Sequence, residues 1–191
     1  MLFRSYSHLA CRHVFPERET RACPTFRAAM EEVENGRAEL AMIPVDNSTA
    51  GRVEEIYRLI PKTSLHIVAE HFEAVNHCLL AAPGTSLATV RRVYSHPQAL
   101  AQCTNTILRL NLEPHATLDT AGAAYQVAQD QRPDQAAIAS SLAAELYGLT
   151  ILREHFQDES GNTTRFIILS RREELPPLEP GVDYITSLLF K

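Results

Sequence analysis

Short apolar runs alternate with helical patterns along this chain. Residues 25–35 read as a helix: Thr25 can cap it, Phe26, Met30 and Val33 share a face, and Gly36 ends it. Leu40-Ala41-Met42-Ile43-Pro44-Val45 reads as a buried strand that stops near its proline. A polar loop from Asp46 to Gly51 and a helix over 53–60 follow. Residues 65–72 and 76–82 are two further strands, with a crossover between lobes near residue 73. The second half repeats one rhythm. Val93-Tyr94 leads to Ser95 and a helix over 97–110, Ala116-Thr117-Leu118 to Asp119-Thr120 and a helix over 121–129, and Ala136 to Ala139 to Ser140 and a helix over 141–147. The pattern predicts α/β architecture.

Each of these strands ends in Ser, Thr or Asp where a helix begins. Taken singly, such residues are helix caps. Taken together, they line the edge of an open α/β sheet where strand ends and helix N-termini face one crevice, and that crevice suits anions. The segment 171–182 is charged and rich in proline and reads as a linker, and Tyr184 to Phe190 reads as one strand.

Composition narrows the function. The chain has 191 residues, enough for one substantial domain or two lobes, with an ordinary 45% hydrophobic and 21% charged content. A net charge of −5 without a basic block argues against nucleic acid as a partner. No apolar run approaches the roughly 20 residues of a membrane span, and Met1 to Ser5 has no signal-peptide core, so a cytoplasmic location is expected. Cys11, Cys23, Cys78 and Cys103 are scattered and read as buried thiols in a reducing compartment. His8, Cys11 and His13 are poorly spaced for a shared ion, and no metal site is expected from them.

Three segments carry candidate chemistry. Thr164-Arg165-Phe166, two residues after Asn162, sets a hydroxyl beside a permanent cation, a pair suited to acid-assisted chemistry on a carboxylate. Pro44 to Gly51 holds Asn47 and Ser48, which form either a site or a turn leading into a helix cap. Ser95-His96-Pro97-Gln98 is followed by Gln102 one helical turn on, so two amides share a face; they are either site groups or solvated glutamines. His96 is either a general acid or a structural residue before proline. Nucleophile elbows, Walker loops and dinucleotide glycine patterns are not found, which leaves a polar site without a cofactor.

Pro44-Val45-Asp46-Asn47-Ser48 resembles the Pro-Ile-Glu-Asn-Ser motif of prephenate dehydratases. Ser95-His96-Pro97-Gln98 through Cys103 resembles that family's Ser-His-Pro-Gln motif, and Asn162-Thr163-Thr164-Arg165-Phe166 its Asn-x-Thr-Arg-Phe motif. Ala143 to Leu149 also fits, and the likeness runs from about Tyr6 to Leu169.

The resemblance implies a two-lobed fold like type II periplasmic-binding proteins, with the active site in the cleft. Lobe 1 would hold about residues 1–72 and the strand after 164, and lobe 2 about residues 73–163. It implies loss of water and carbon dioxide from prephenate to give phenylpyruvate in phenylalanine biosynthesis, without cofactor or metal, in a homodimer. Thr164 stands at the family's essential threonine and Arg165 at its substrate-binding arginine. Asn47, Ser48, Ser95, Gln102 and Asn162 match cleft positions, and Asp119 falls where relatives often carry Glu. Arogenate, the amino analogue, is the alternative substrate, and a catalytically impaired anion-binding remnant is the alternative from another class. Relatives begin with a strand and a Gly-x-x-Gly turn, where this chain has only Met1 to Ser5, so an exposed sheet edge is expected. Residues 183–191 resemble only the first strand of an ACT domain, so regulation through that domain is expected to be lost.

Overall fold

The structure, a computed structural model, describes residues 6–173. The expected strand over 184–190, most of the linker and the first five residues lie outside the described residues. The chain forms two sheets. The first is antiparallel, in the order β2-β1-β9-β3, built from β1 (Leu40–Asn47), β2 (Gly51–Arg52), β3 (His66–Ala74) and β9 (Thr163–Ser170). The second has the order β6-β5-β7-β4-β8. In it β5 (Arg92–Ser95), β6 (Glu113–Ala116) and β7 (Gln135–Ala139) run parallel, while β4 (Cys78–Ala81) and β8 (Thr150–Arg153) are antiparallel.

Helices cover both sheets. On the first, α2 (Phe26–Glu34) and α3 (Glu54–Leu59) pack Met30, Val33, Ile56 and Leu59 against Ala41, Ile43, Val45, Ile167 and Leu169. The helix α1 (Tyr6–Val14) lies on the opposite face. Thr25 caps α2 by accepting from the Ala28 amide at 3.0 Å, and Gly36 ends it with φ +75°, a left-handed value that favours glycine. On the second sheet, α6 (Thr120–Asp130) and α7 (Ser141–Tyr147) pack their alanine-rich faces on β4 and β7. Both of those strands are buried along their whole length, as expected for strands covered on two faces.

Two local departures from the sequence reading shape the site. The strand β1 does not stop at Pro44. It runs on to Asn47, with a register shift against β9 between Pro44 and Asp46. Proline has no N–H to give to the ladder, and the irregularity absorbs that loss. The expected helix over 97–110 is two helices, α4 (Pro97–Ala101) and α5 (Thr104–Arg109), parted at Gln102 and Cys103. Asp158 explains the break: its carboxylate accepts from the Asn105 and Thr106 amides, each at 2.8 Å, and so starts a new helix there.

The chain passes between sheets twice, at 75–77 and at 154–162. The two crossings are tied to each other. The Val75 amide donates to the Asn162 carbonyl, and the Phe156 amide to the His77 carbonyl, both at 2.8 Å. Among the described residues, β1 is paired on its outer edge only at Asp46 and Asn47, by β2. A cavity of about 490 Å³ opens along the rest of that edge, between α1, α2 and Leu40 to Ile43.

Candidate active site

Phe166 to Leu169 are all buried, and each such side chain stabilises the fold by roughly 1.5–3 kcal/mol. They hold β9 in the middle of its sheet, so Thr164 at the strand's start has a fixed place. Thr164 pairs with Asn47 on β1 and with Glu73 on β3.

A continuous chain of hydrogen bonds begins at Thr164, passes through His77 beside the second sheet and ends at Tyr6 of α1. Asn47 Nδ2 donates to Thr164 Oγ1 at 2.9 Å and to Asn162 Oδ1 at 2.7 Å. Asn162 Nδ2 donates to Gln102 Oε1 at 3.2 Å. The same oxygen lies 2.8 Å from His77 Nε2, and His77 Nδ1 lies 2.8 Å from the Tyr6 hydroxyl. Asn47, Gln102, Asn162 and Thr164, all expected at the site, are thus brought together.

The direction of each bond from Thr164 to His77 follows from two backbone groups. The amides of Thr49 and Ala50 donate to Asn47 Oδ1 at 3.0 and 2.8 Å, which forces Nδ2 of the same amide toward Thr164 and Asn162. Asn162 must then turn its oxygen to Asn47 and its amide nitrogen to Gln102. Gln102 Oε1 therefore accepts from both sides, so His77 carries its proton on Nε2; the Tyr6 hydroxyl stands 2.8 Å from both His77 Nδ1 and the Asn76 carbonyl, to which it donates. Burial supports this state. It holds the His77 imidazole below its ordinary pKa, against the opposing hydrogen bond from Gln102, and it pushes the Tyr6 phenol well up. The outcome at the other end matters most. Thr164 Oγ1 accepts from Asn47, and its own proton is left to donate elsewhere.

Arg165 is not on that face. Successive residues of a strand point to opposite sides, and Arg165 pairs with Asp46 on the side of α3. Its Nε and a terminal nitrogen donate to Glu70 Oε2 at 2.8 and 2.7 Å, with Asp46 at 3.9 Å. Asp46 also accepts from the Tyr57 hydroxyl at 3.0 Å. Thr164 and Arg165, expected to grip one ligand side by side, leave β9 on opposite faces in this structure, with Arg165 paired to Glu70 and Asp46.

Three other expected residues are held by the protein itself. Ser95 is fully buried and donates to the Ile138 carbonyl at 2.6 Å, bracing β5 on β7. Ser48 accepts from the Thr163 amide at 2.9 Å and tightens the turn after β1. Asp119 caps α6 by accepting from the Gly122 amide at 2.6 Å. His96 likewise caps α4. Gln98 is exposed, whereas Gln102 is half-buried.

His77 and Tyr6 are the residues that sequence reasoning missed. His77 is buried at the start of β4, beside the C-terminal ends of the parallel strands, because Cys78 pairs with Ala139. The available signal was a histidine inside an otherwise apolar stretch at a crossover. The nearby thiols are not reactive groups: burial pushes Cys78 up to about 11 and Cys103 up to about 12.

Comparison with known proteins fits this geometry. The profile of the prephenate dehydratase family matches residues 3–174. The bifunctional N-acyl-homoserine lactone acylase/prephenate dehydratase of Komagataeibacter europaeus is 50% identical over 188 residues, covering 98% of this chain and 66% of that protein. The arogenate dehydratase/prephenate dehydratase 2, chloroplastic, of Arabidopsis thaliana is 43% identical over 188 residues, covering 97% of this chain and 48% of that protein. The crystal structure of prephenate dehydratase from Arthrobacter aurescens in complex with L-Phe superposes with a TM-score of 0.84 at 29% identity, over 94% of this chain and 61% of that one. The chain thus spans about half to two thirds of the length of these relatives.

Proposed function

The chain belongs to the prephenate dehydratase family, and from that premise we propose that it converts prephenate to phenylpyruvate at the seam between its two sheets. The observation that carries this reading is the orientation of Thr164. Asn47 fills the acceptor side of its hydroxyl at 2.9 Å, so the hydroxyl donates to the group in front of it.

The reaction needs little more. Prephenate loses its ring carboxylate as carbon dioxide and its ring hydroxyl as water, and aromatisation drives both. The protein's task is to hold a dianion and assist the departing hydroxyl. A threonine is too weak an acid to give up its proton unaided. Thr164 supplies an oriented hydrogen bond as charge builds on the leaving oxygen, a role that a fixed donor in a water-poor site performs well. The carboxylates meet the edge where β5 and β7 end and α4 and α7 begin, next to His77. Helix starts offer free amides there. Arg165, bound to Glu70 and Asp46, positions the end of β9 from the far face and is not the primary carboxylate ligand.

Phenylpyruvate formation, followed by ultraviolet absorbance, tests the assignment. Thr164→Ala is expected to lower kcat by about 10²-fold or more, and Thr164→Ser to keep most of it. Turnover of Thr164→Ala at the wild-type rate removes Thr164 from the chemistry. Product at only the background acid-catalysed rate from the wild-type chain supports an anion-binding remnant instead. Arogenate, assayed in parallel, measures the preference between the two substrates. A cytoplasmic homodimer completes the proposal, and light scattering of the purified chain tests the dimer.

A further inference from the structure

Beside the hydrogen-bonded chain, on the face of the first sheet that carries α1, three side chains converge on one point. Glu73 and His71 stand two apart on β3 and therefore on one side of the sheet. His13 reaches them from the C-terminal end of α1. Glu73 Oε2 lies 2.9 Å from His13 Nδ1 and 2.9 Å from His71 Nε2, and the three ligand atoms all lie within 4.8 Å of one another.

We propose that His13, His71 and Glu73 form a binding site for one borderline divalent cation of the zinc type. Two imidazoles and one carboxylate are a donor set that such ions favour. Ions of this type hold nitrogen and oxygen ligands at about 2.0–2.2 Å, which sets the ligand atoms roughly 3.4 Å apart. Two of the three spacings are 2.9 Å and the third is within 4.8 Å, so an ion can be taken up by side-chain adjustment without moving the strands. The carboxylate adds a reason for a cation to settle here. Glu73 is only 5% exposed, and an ionised carboxylate so placed is costly without strong partners. His13 is half exposed, so an ion and its remaining water ligands have a path in from solvent. None of the three ligands belongs to the hydrogen-bonded chain through Thr164, although Glu73 stands directly across the ladder from that residue, on the same face. The site also differs from the grouping of His8, Cys11 and His13 by sequence proximity, since His8 pairs instead with Thr20 at 3.0 Å.

Titration calorimetry with zinc chloride, and the visible spectrum of the chain loaded with cobalt(II), test the proposal on the full chain. One equivalent of zinc is expected to bind, with a cobalt spectrum of low-symmetry, four- or five-coordinate type. His13→Ala, a change at a half-exposed position that leaves the fold intact, is expected to weaken binding by about tenfold or more, and Glu73→Gln to abolish it. His66→Ala, on the exposed part of β3, is expected to change nothing. Absence of stoichiometric binding, or binding that survives His13→Ala at full strength, overturns the proposal. So does binding lost only with His66→Ala, which would locate the ion on the surface histidines.

Discussion

Asn47→Asp isolates the direction of the hydrogen-bond chain, because it changes the sense of the bonds and almost nothing of the shape. The carboxylate still accepts from Thr49 and Ala50 at the positions that now lie 3.0 and 2.8 Å away, so the turn after β1 survives. Its second oxygen, however, faces Thr164 Oγ1 at 2.9 Å and Asn162 Oδ1 at 2.7 Å, and it can only accept. Thr164 must then turn its proton inward and cannot present it to a substrate. Removing one preorganised donor from a reacting oxygen costs roughly 2.7–4 kcal/mol, so kcat should fall about 10²- to 10³-fold. The rest of the chain can reverse in response. Asn162 and Gln102 flip their amides, and His77 moves its proton from Nε2 to Nδ1. That relaxation keeps the stability loss to about 1 kcal/mol, well under the cost of two opposed buried acceptors. Steady-state kinetics, thermal melting and the nitrogen chemical shifts of His77 measure the three effects together. A variant that keeps its turnover within about threefold of wild type, while His77 switches tautomer, would refute the claim that the threonine proton matters.

Three further outcomes follow from the geometry. His77 is buried with its pKa held below the ordinary 6.5, so the unfolded chain binds the proton more readily. Stability is therefore full above that value and falls as pH drops from about 7 toward the lower folded pKa; melting temperature measured from pH 7.5 to 5.5 should show this loss, and His77→Gln should lack it. The thiols should react in two classes at pH 8: Cys23 most readily, and Cys78 and Cys103, with thiols pushed up to about 11 and about 12, only on unfolding. A colorimetric thiol assay with and without denaturant checks the order. Gly36→Ala should destabilise by roughly 1–2 kcal/mol, because φ there is +75° and the added methyl would meet Arg171; denaturant titration reads it.

Much of this architecture was legible in the chain. The helix over 141–147 and the caps at Thr25 and Asp119 came from residue types whose backbone demands are local. The four amide and hydroxyl residues of the polar chain came from spaced motifs. What escaped was anything that depends on partners distant in sequence. The break at Gln102 exists because Asp158 arrives from another crossing to cap α5. The strand β8 was passed over because its exposed ends hide a short apolar middle. Arg165 beside Thr164 looked like one instrument, yet strand alternation makes them two, and only the sheet reveals which neighbours each one meets. His77 was hidden by its own burial, since a histidine amid apolar residues reads as core until its ring is seen between Tyr6 and Gln102.

The irregularity at Pro44 has a consequence for how β1 carries an added residue. Along β1, Ala41, Ile43 and Val45 point into the core beneath α2 and α3, and an uninterrupted alternation would send Asn47 the same way. The single extra residue resets the count, delivering Asp46 to Arg165 and Asn47 to Thr164. Were the extra residue not absorbed there, Val45 would pair with Arg165 and Asp46 with Thr164, putting a carboxylate where the amide belongs while every functional side chain stayed in the polypeptide. Catalytic identity here depends on odd and even as much as on which amino acids are present.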